Sequence, residues 1–183
     1  MNIATFDEFD IKVDRELFEI NVFGLVNLTR IVLRHWYENN YNGHIVINSS
    51  ILGKFGVPIF STYAASKHAL HGYFEALRLE SYFRGIHVTM VCAGPVFSNI
   101  VKNSFSGKHG EAFGGEHKLF EKSMATRRCA NLMAIAIANQ LEEVCVSIQP
   151  SLALVYCMQY IPQISRQIMC KFATKERLRT FRD

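Results

Sequence analysis

The sequence predicts an α/β fold, namely the C-terminal part of a Rossmann-like, doubly wound parallel sheet with three strands and crossover helices. Three short runs rich in apolar and β-branched residues carry this prediction: HIVINS, IHVTMVC and EVCVSI. Their weak polar alternation is typical of strands that are covered on both faces. Segments with helical periodicity separate the runs, and such strand–helix–strand connections give right-handed crossovers and parallel strands.

The helices are predicted from apolar spacing and from their end signals. Apolar residues recur at largely helical spacing from about Asp10 to Tyr37, and a second long helix runs from about Ser61 to Phe83, with Gly85 as its C-cap. A third helix, TRRCANLMAIAIANQL, precedes the last strand. The glycine-rich segment SFSGKHGEAFGGEH before it is either a lid over a site or a long surface loop.

Two regions are expected. Residues 1–150 form a partial Rossmann-like catalytic domain, and residues 151–183 form an apolar and basic extension that packs on the domain or on a membrane surface. Pro162 and Arg166 interrupt SLALVYCMQYIPQISRQIMC, so its apolar part is shorter than the roughly 20 residues of a spanning helix. The basic stretch that follows is either a solvated tail or a contact for anionic lipid.

Composition indicates an ordinary globular domain. The chain has 183 residues, of which 49% are hydrophobic, and its formal charge of +4 is too small to indicate a nucleic-acid partner. Its five cysteines show neither C-x-x-C pairs nor disulfide-framework spacing, which favours buried thiols in a reducing compartment. The polar, acidic start MNIATFDEFDIKVD resembles neither a signal peptide nor a membrane anchor.

The stretch SSILGKFGVPIFSTYAASK predicts a catalytic site. Tyr63 and Lys67 lie one helical turn apart, and a cation held close to a phenol lowers its pKa by about 1–3, toward the range useful for proton transfer. Ser50 ends the first strand, where open parallel sheets bind ligands, and its hydroxyl can converge with the phenol on one oxygen. Ser49 and Ser50 would point to opposite sides, so one of them reaches the crevice. The competing interpretations are a chance Y-x-x-x-K pattern and a serine that satisfies backbone groups.

Other sites fit the sequence less well. There is no G-x-S-x-G elbow and no S-x-x-K motif for serine hydrolysis, and no glycine-rich phosphate loop. His68 and His71 lie three residues apart on a helix, but the spacing offers no third ligand, so no metal site is expected.

These motifs resemble the short-chain dehydrogenase/reductase family. NSS followed by YAASK resembles its serine and Y-x-x-x-K signature, INVFGLVNLTRIVLRHW its preceding helix, and VCAGPVFSNI its P-G-x-V-x-T segment. The resemblance implies that Tyr63 exchanges a proton with the substrate oxygen. It also implies that Lys67 lowers the phenol's pKa and binds the nicotinamide ribose, and that Ser50 holds and polarises the substrate carbonyl.

The resemblance assigns three further residues and shows departures. Asn21 would position a water in a proton relay, and Val96 and Ser98 would contact the nicotinamide end of the cofactor. Ala93 stands where the family usually has proline, and Ser98 where it often has threonine. The family's T-G-x-x-x-G-I-G turn and N-N-A-G segment are not in the sequence, so the chain resembles the last three of seven strands, with the N-terminal strands missing. The first strand is then expected to leave an apolar edge exposed.

The expected function is an NAD(P)-dependent oxidoreductase that interconverts an alcohol and a carbonyl on a lipophilic, steroid- or retinoid-like substrate. The chain would be its truncated catalytic half, with NADP(H) favoured over NAD(H). The alternative is a catalytically inactive fragment that serves as a dimerisation or interaction module for a full-length relative. A homo-oligomer through the two long helices, no nucleic-acid partner and contact with a membrane surface are expected. The resemblance implies the endoplasmic reticulum membrane as location, or the cytoplasm if this chain is the whole product.

Overall fold

The computed structural model describes residues 1, 3–100, 104, 106–108 and 122–173. Its sheet has three parallel strands in the order β1 (Gly43–Ser50), β2 (Ile86–Ala93) and β3 (Glu143–Val146). The predicted α/β fold with a parallel sheet is therefore confirmed. The third strand is shorter than the predicted run to Ile148, because its last partner on β2 is Ala93 and the chain leaves the sheet there.

Helices cover both faces of the sheet, as a doubly wound fold requires. On one face lie α1 (Ile11–Phe18), α2 (Gly24–Glu38) and α3 (Ser61–Ser81), and on the other lies α4 (Thr126–Ala138). The larger core joins α2 and α3 to alternate residues of the strands, including Ile47, Met90 and Cys92. The smaller core packs Val91 and Val146 against α4. This alternation follows from the period of two in a strand.

The first long helix is interrupted where the sequence showed only regular periodicity. It begins after Asp10, whose carboxylate accepts a hydrogen bond from the Lys12 amide at 2.9 Å. Between α1 and α2 the backbone forms a π-helical turn, Glu19–Phe23. Such turns insert one extra residue and are frequent at functional sites. The predicted helix is thus present, but Asn21 lies at a local widening of it.

The second long helix and its end match the prediction. After α3 a 3₁₀ turn, Tyr82–Arg84, leads to Gly85, which adopts φ 68° in the left-handed region. Glycine reaches that conformation without the steric cost that a Cβ adds. This turn delivers the chain directly into β2.

The apolar segment after β3 forms two short helices, α5 (Ser151–Tyr160) and α6 (Pro162–Phe172). Pro162 opens α6, where its missing N–H costs nothing. Val155 is 2% exposed and belongs to the larger core, so α5 packs on the sheet domain. No helix among the described residues is long and apolar enough to cross a membrane.

Two sequence predictions fall partly or wholly outside the described residues. The glycine-rich segment that was predicted as a lid or a surface loop spans residues 104–117, and only four of its positions are described. The basic tail beyond residue 173 is also outside them. The exposed edge can be assessed: β1 ends the described sheet on one side, and Ile45 and Val46 on it are only partly buried.

Candidate active site

Ser50 lies at the carboxyl edge of the parallel sheet. It is the last residue of β1, is 7% exposed, and caps the 3₁₀ turn Ile51–Gly53 by accepting a hydrogen bond from the Leu52 amide at 3.1 Å. Its neighbour Ser49 faces α3 instead, with its hydroxyl 3.2 Å from the Nε2 atom of His71. The two adjacent serines thus have different partners, in agreement with the prediction that they point to opposite sides of the strand. The capping bond orients the Ser50 hydroxyl and leaves its own proton to donate.

Tyr63 lies in the first turns of α3, over an apolar cluster of the loop that precedes it. Burial raises the pKa of its phenol above the ordinary 10.0, and the nearby Ser50 hydroxyl opposes that rise because it hydrogen-bonds the phenolate. The predicted net lowering of the phenol's pKa is wrong for this structure, because loss of water outweighs the opposing hydrogen bond from Ser50.

Lys67 lies one turn further along the same face of α3. Its Nζ atom donates a hydrogen bond to the carbonyl oxygen of Asn48 at 3.0 Å and is 5.6 Å from the centroid of the Tyr63 ring. Burial lowers the pKa of this amine from 10.5 to about 8. Lys67 therefore places a partly buried ammonium beside the end of β1 and near the phenol ring.

Asn21 reaches the same helix from the π-helical turn. Its Nδ2 atom donates a hydrogen bond to the Ser66 hydroxyl at 3.1 Å, and that hydroxyl donates to the Tyr63 carbonyl at 2.8 Å. Ser66 is fully buried and adjoins Lys67 in sequence. The structure thus connects Asn21 to the backbone of the Tyr63–Lys67 turn.

Two contacts position the segment that follows β2. The Gly94 amide donates to Val146 at 2.9 Å, and an isolated bridge joins Val96 to Met124. Val96 is partly buried, whereas Ser98 is exposed. This segment leaves the sheet at its carboxyl edge, beside the end of β1 that carries Ser50.

The geometry therefore brings Ser50, Tyr63 and Lys67 together and connects Asn21 to them through Ser66. Within the part of the chain that the structure describes, no contact joins Val96 or Ser98 to the three. The resemblance assigns this pair to the cofactor, and that role stays a prediction.

One polar group was missed by sequence reasoning. Behind Ser50, on the α3 side of the sheet, His71 contacts Ser49, Cys92 and Glu143, which come from all three strands. No spacing in the sequence connects residues separated by 22, 21 and about 70 positions. The strand register does connect them, because Ser49, Cys92 and Cys145 are successive partners across the sheet.

Comparison with known proteins identifies the family of the chain. Residues 1–109 match the short chain dehydrogenase family. Dehydrogenase/reductase SDR family member 7 of Homo sapiens is 44% identical over 171 residues, covering 93% of this chain and 50% of the relative. Its Mus musculus counterpart is 40% identical over 177 residues, covering 96% and 52%. The chain thus spans about half the length of the curated relatives it matches.

Solved structures share the fold at low identity. A short-chain dehydrogenase from Streptomyces avermitilis superimposes with a TM-score of 0.71 at 22% identity, covering 94% of this chain and 66% of that one. One from Burkholderia cenocepacia, in complex with NADP, gives 0.69 at 21%, covering 90% and 61%. 4-Hydroxyisoleucine dehydrogenase, complexed with NADH and succinate, gives 0.58 at 21%, covering 79% and 61%. From its sequence match and its relatives, the chain belongs to the short-chain dehydrogenase/reductase family, a family of oxidoreductases.

Proposed function

We propose that this chain carries the proton-transfer site of an NAD(P)-dependent oxidoreductase that interconverts an alcohol and a carbonyl on a lipophilic substrate. The observation that carries the proposal is the approach of the Ser50 hydroxyl to the Tyr63 phenol, with the Lys67 ammonium 5.6 Å from the phenol ring centroid. These are a hydrogen-bond donor, a proton donor and a cation around one crevice at the carboxyl edge of a parallel sheet.

In the direction of carbonyl reduction, Tyr63 is the proton donor. Because burial raises the pKa of its phenol, the residue is protonated at neutral pH and can give its proton to a carbonyl oxygen that becomes an alkoxide. The Ser50 hydroxyl donates a hydrogen bond to the same oxygen and then to the phenolate. Lys67, still largely protonated at pH 7 with its pKa of about 8, stabilises the phenolate that remains.

The described residues fit the nicotinamide end of a dinucleotide. Lys67 is a partly buried ammonium with one protein oxygen at 3.0 Å, so it has donors left for ribose hydroxyls, and Val96 and Ser98 lie at the adjacent strand end. When bound, the nicotinamide supplies or accepts the hydride at the carbonyl carbon. Asn21 is proposed to hold a water in the proton path through its carbonyl oxygen, since its amide nitrogen is engaged by Ser66.

NADP(H) is the proposed form of the cofactor. The Burkholderia structure is in complex with NADP, whereas 4-hydroxyisoleucine dehydrogenase is complexed with NADH, so the fold accommodates both. Titration of the chain with NADPH and with NADH, followed by the fluorescence of the reduced nicotinamide, compares the two directly. Equal affinity, or tighter binding of NADH, would reject the proposed preference.

Apolar surface beside the site supports a lipophilic substrate. Leu52, Val57 and Ile59 pack near Tyr63, and Phe97 and Ile100 are 61% and 42% exposed in the segment after β2. We expect Phe97→Ser to lower kcat/KM for a bulky cyclic ketone, with KM carrying most of the change. The matched control is Phe83→Ser, since Phe83 is 94% exposed at the far end of α3. A preference of the unaltered chain for a small sugar over the ketone would contradict this substrate class.

Pairing through the long helices is proposed for the quaternary structure. A groove of about 220 Å³ lies between α2 and α3, and Val26, Leu33, Tyr73 and Leu77 line it. Light scattering of the unaltered chain and of Tyr73→Glu tests this, with a shift from dimer to monomer expected. A monomeric unaltered chain would refute it. The alternative function, an inactive interaction module, would show dimers but no turnover.

Association with a membrane surface is proposed for residues 151–183. Ile161, which precedes α6, and Ile164 and Ile168 on α6 are about half exposed, and Arg166 and Lys171 lie on the same helix. An endoplasmic reticulum location rests on the family resemblance. Flotation with anionic liposomes should be lost in Ile164→Ser/Ile168→Ser. Equal flotation of this variant would remove α6 from the proposal.

A further inference from the structure

A buried polar cluster lies behind the candidate active site, on the α3 side of the sheet. His71 is the centre of this His71 cluster, which also contains Cys92 of β2, Glu143 and Cys145 of β3, and Ser49 of β1. Ser49, Cys92 and Cys145 are register partners, so their side chains project from the same face of neighbouring strands. The proton-transfer chemistry proposed above uses none of these five residues.

His71 presents a nitrogen without a partner. Its side chain is 8% exposed, and its Nδ1 atom is fully buried with no hydrogen bond. The closest carboxylate oxygen, Oε2 of Glu143, is 3.6 Å away, beyond hydrogen-bond distance. The other ring nitrogen, Nε2, lies 3.2 Å from the Ser49 hydroxyl. The tautomer in which Nε2 carries the proton and donates it to Ser49 leaves a lone pair on Nδ1, as in histidines that bind metal.

The charge state of the ring favours the same role. Burial, and next the Lys54 ammonium, lower the pKa of His71 to about 4, so the imidazole is neutral at pH 7. A buried acceptor nitrogen without a donor is costly, because it has lost water and gained nothing in exchange. A cation at Nδ1 would supply the missing partner.

We propose that His71, Cys92 and Glu143 bind a thiophilic divalent cation of the Zn²⁺ class, with Cys145 as the fourth ligand. One ring nitrogen, the Cys92 sulfur and a carboxylate oxygen all lie within 4.8 Å of one another. Tetrahedral Zn²⁺, with bonds of about 2.0–2.3 Å, holds its ligand atoms about 3.3–3.8 Å apart. The 3.6 Å between Nδ1 and Glu143 is already in that range. The Cys92 sulfur lies 3.6 Å from the other ring nitrogen, Nε2, so ligation at Nδ1 requires rotation of the Cys92 side chain or of the ring. Cys145 lies beside Cys92 through a hydrogen bond between the two side chains.

The ligand chemistry selects the ion. Thiolate and imidazole ligands favour Zn²⁺ over Mg²⁺ and Ca²⁺, which prefer oxygen. Cys92 and Cys145 share a hydrogen bond between their side chains, so their two sulfurs lie together on this face of the sheet. Binding of the ion releases both thiol protons to solvent.

Lys54 completes the charge balance. Its Nζ atom lies 2.5 Å from Oε2 of Glu143 and is partly exposed at the edge of the cluster. Two thiolates and one carboxylate carry three negative charges, which the divalent ion and the Lys54 ammonium neutralise together. The filled site would therefore join β2, β3 and α3 behind Ser50 without burying net charge.

Cobalt(II) titration of the full 183-residue chain tests the site, because thiolate ligands give Co²⁺ an intense charge-transfer absorption. We expect one Co²⁺ per chain, displacement by Zn²⁺, and a higher Tm in the presence of Zn²⁺. Cys92→Ser should abolish the absorption. Glu143→Gln, at a side chain that is 30% exposed, should retain the fold and weaken Co²⁺ binding by about tenfold or more.

The matched control is Cys129→Ser. Cys129 is buried on the opposite face of the sheet, where its thiol contacts Met133, and its loss should leave the absorption unchanged. An unaltered chain without the absorption overturns the proposal. So does an absorption that persists in Cys92→Ser, or Co²⁺ affinity that is unchanged in a folded Glu143→Gln.

Discussion

The partly buried ammonium of Lys67 gives the stability of this chain a specific dependence on pH. Burial lowers the pKa of the amine from its ordinary 10.5 to about 8. Between these two values the unfolded chain binds a proton that the folded chain has released, so the free energy of unfolding rises with pH. Below about pH 8 the amine is charged in both states, and the whole cost of burying the ammonium is present.

The magnitude follows from the gap between the two pKa values. Each pH unit is worth up to about 1.4 kcal/mol, so neutralising Lys67 restores about 3 kcal/mol in total and about 2 kcal/mol between pH 7.5 and 9.5. Urea unfolding at these two pH values should show this gain in the unaltered chain relative to Lys67→Met. The cysteine thiols titrate in both chains and cancel in the comparison. The Met1 amine, whose pKa is lowered mainly by burial and next by Lys67, contributes in both as well.

The result that would refute this reasoning is an equal change in the free energy of unfolding for the two chains. That outcome would mean that Lys67 titrates near its ordinary value and is well hydrated. The proposed stabilisation of the Tyr63 phenolate by a poorly solvated ammonium would then lose its physical basis.

Two packing predictions follow from the described core. Gly94→Ala places a Cβ 2.6 Å from the Cβ of Ser147 and should lower the free energy of unfolding by about 1–3 kcal/mol in urea titrations. Gly72→Ala, whose Cβ would meet no atom within 4 Å outside its own helix backbone, should raise it by about 0.5–1 kcal/mol. An increase for Gly94→Ala or a decrease for Gly72→Ala would contradict the corresponding prediction. Phe74→Ala, at 2% exposure, should cost about 3–5 kcal/mol, whereas Phe83→Ala at 94% exposure should cost almost nothing by the same assay.

Most of the fold was predictable because its elements carry local signals. The buried strands show runs of β-branched residues, Gly85 ends the second long helix, and Pro162 divides the apolar tail. The π-helical turn around Asn21 was not predictable, since its apolar spacing fits an ordinary helix within the tolerance of the pattern. The end of β3 depends on where its partner β2 stops, which is a property of the sheet and not of the segment.

The candidate site likewise has features that the sequence predicts and features that it does not. Tyr63 and Lys67 are one turn apart in sequence, and a strand end marks Ser50, so their proximity could be inferred. The balance between burial and hydrogen bonding at Tyr63 could not, because it depends on how much surrounding chain excludes water from the phenol. The His71 cluster has no sequence signal at all, since only the parallel register aligns Cys92 with Cys145.

The most direct test of the account is hydride transfer from NADPH to a cyclic ketone, measured as loss of nicotinamide absorbance with the unaltered chain and with Tyr63→Phe. NADPH is used at millimolar concentration, so that weak cofactor binding does not hide turnover. The account predicts turnover by the unaltered chain and a loss of about 10²–10⁴-fold in kcat for Tyr63→Phe, with NADPH binding retained. Equal rates for the two chains, or no turnover by a folded chain that binds NADPH, would contradict it.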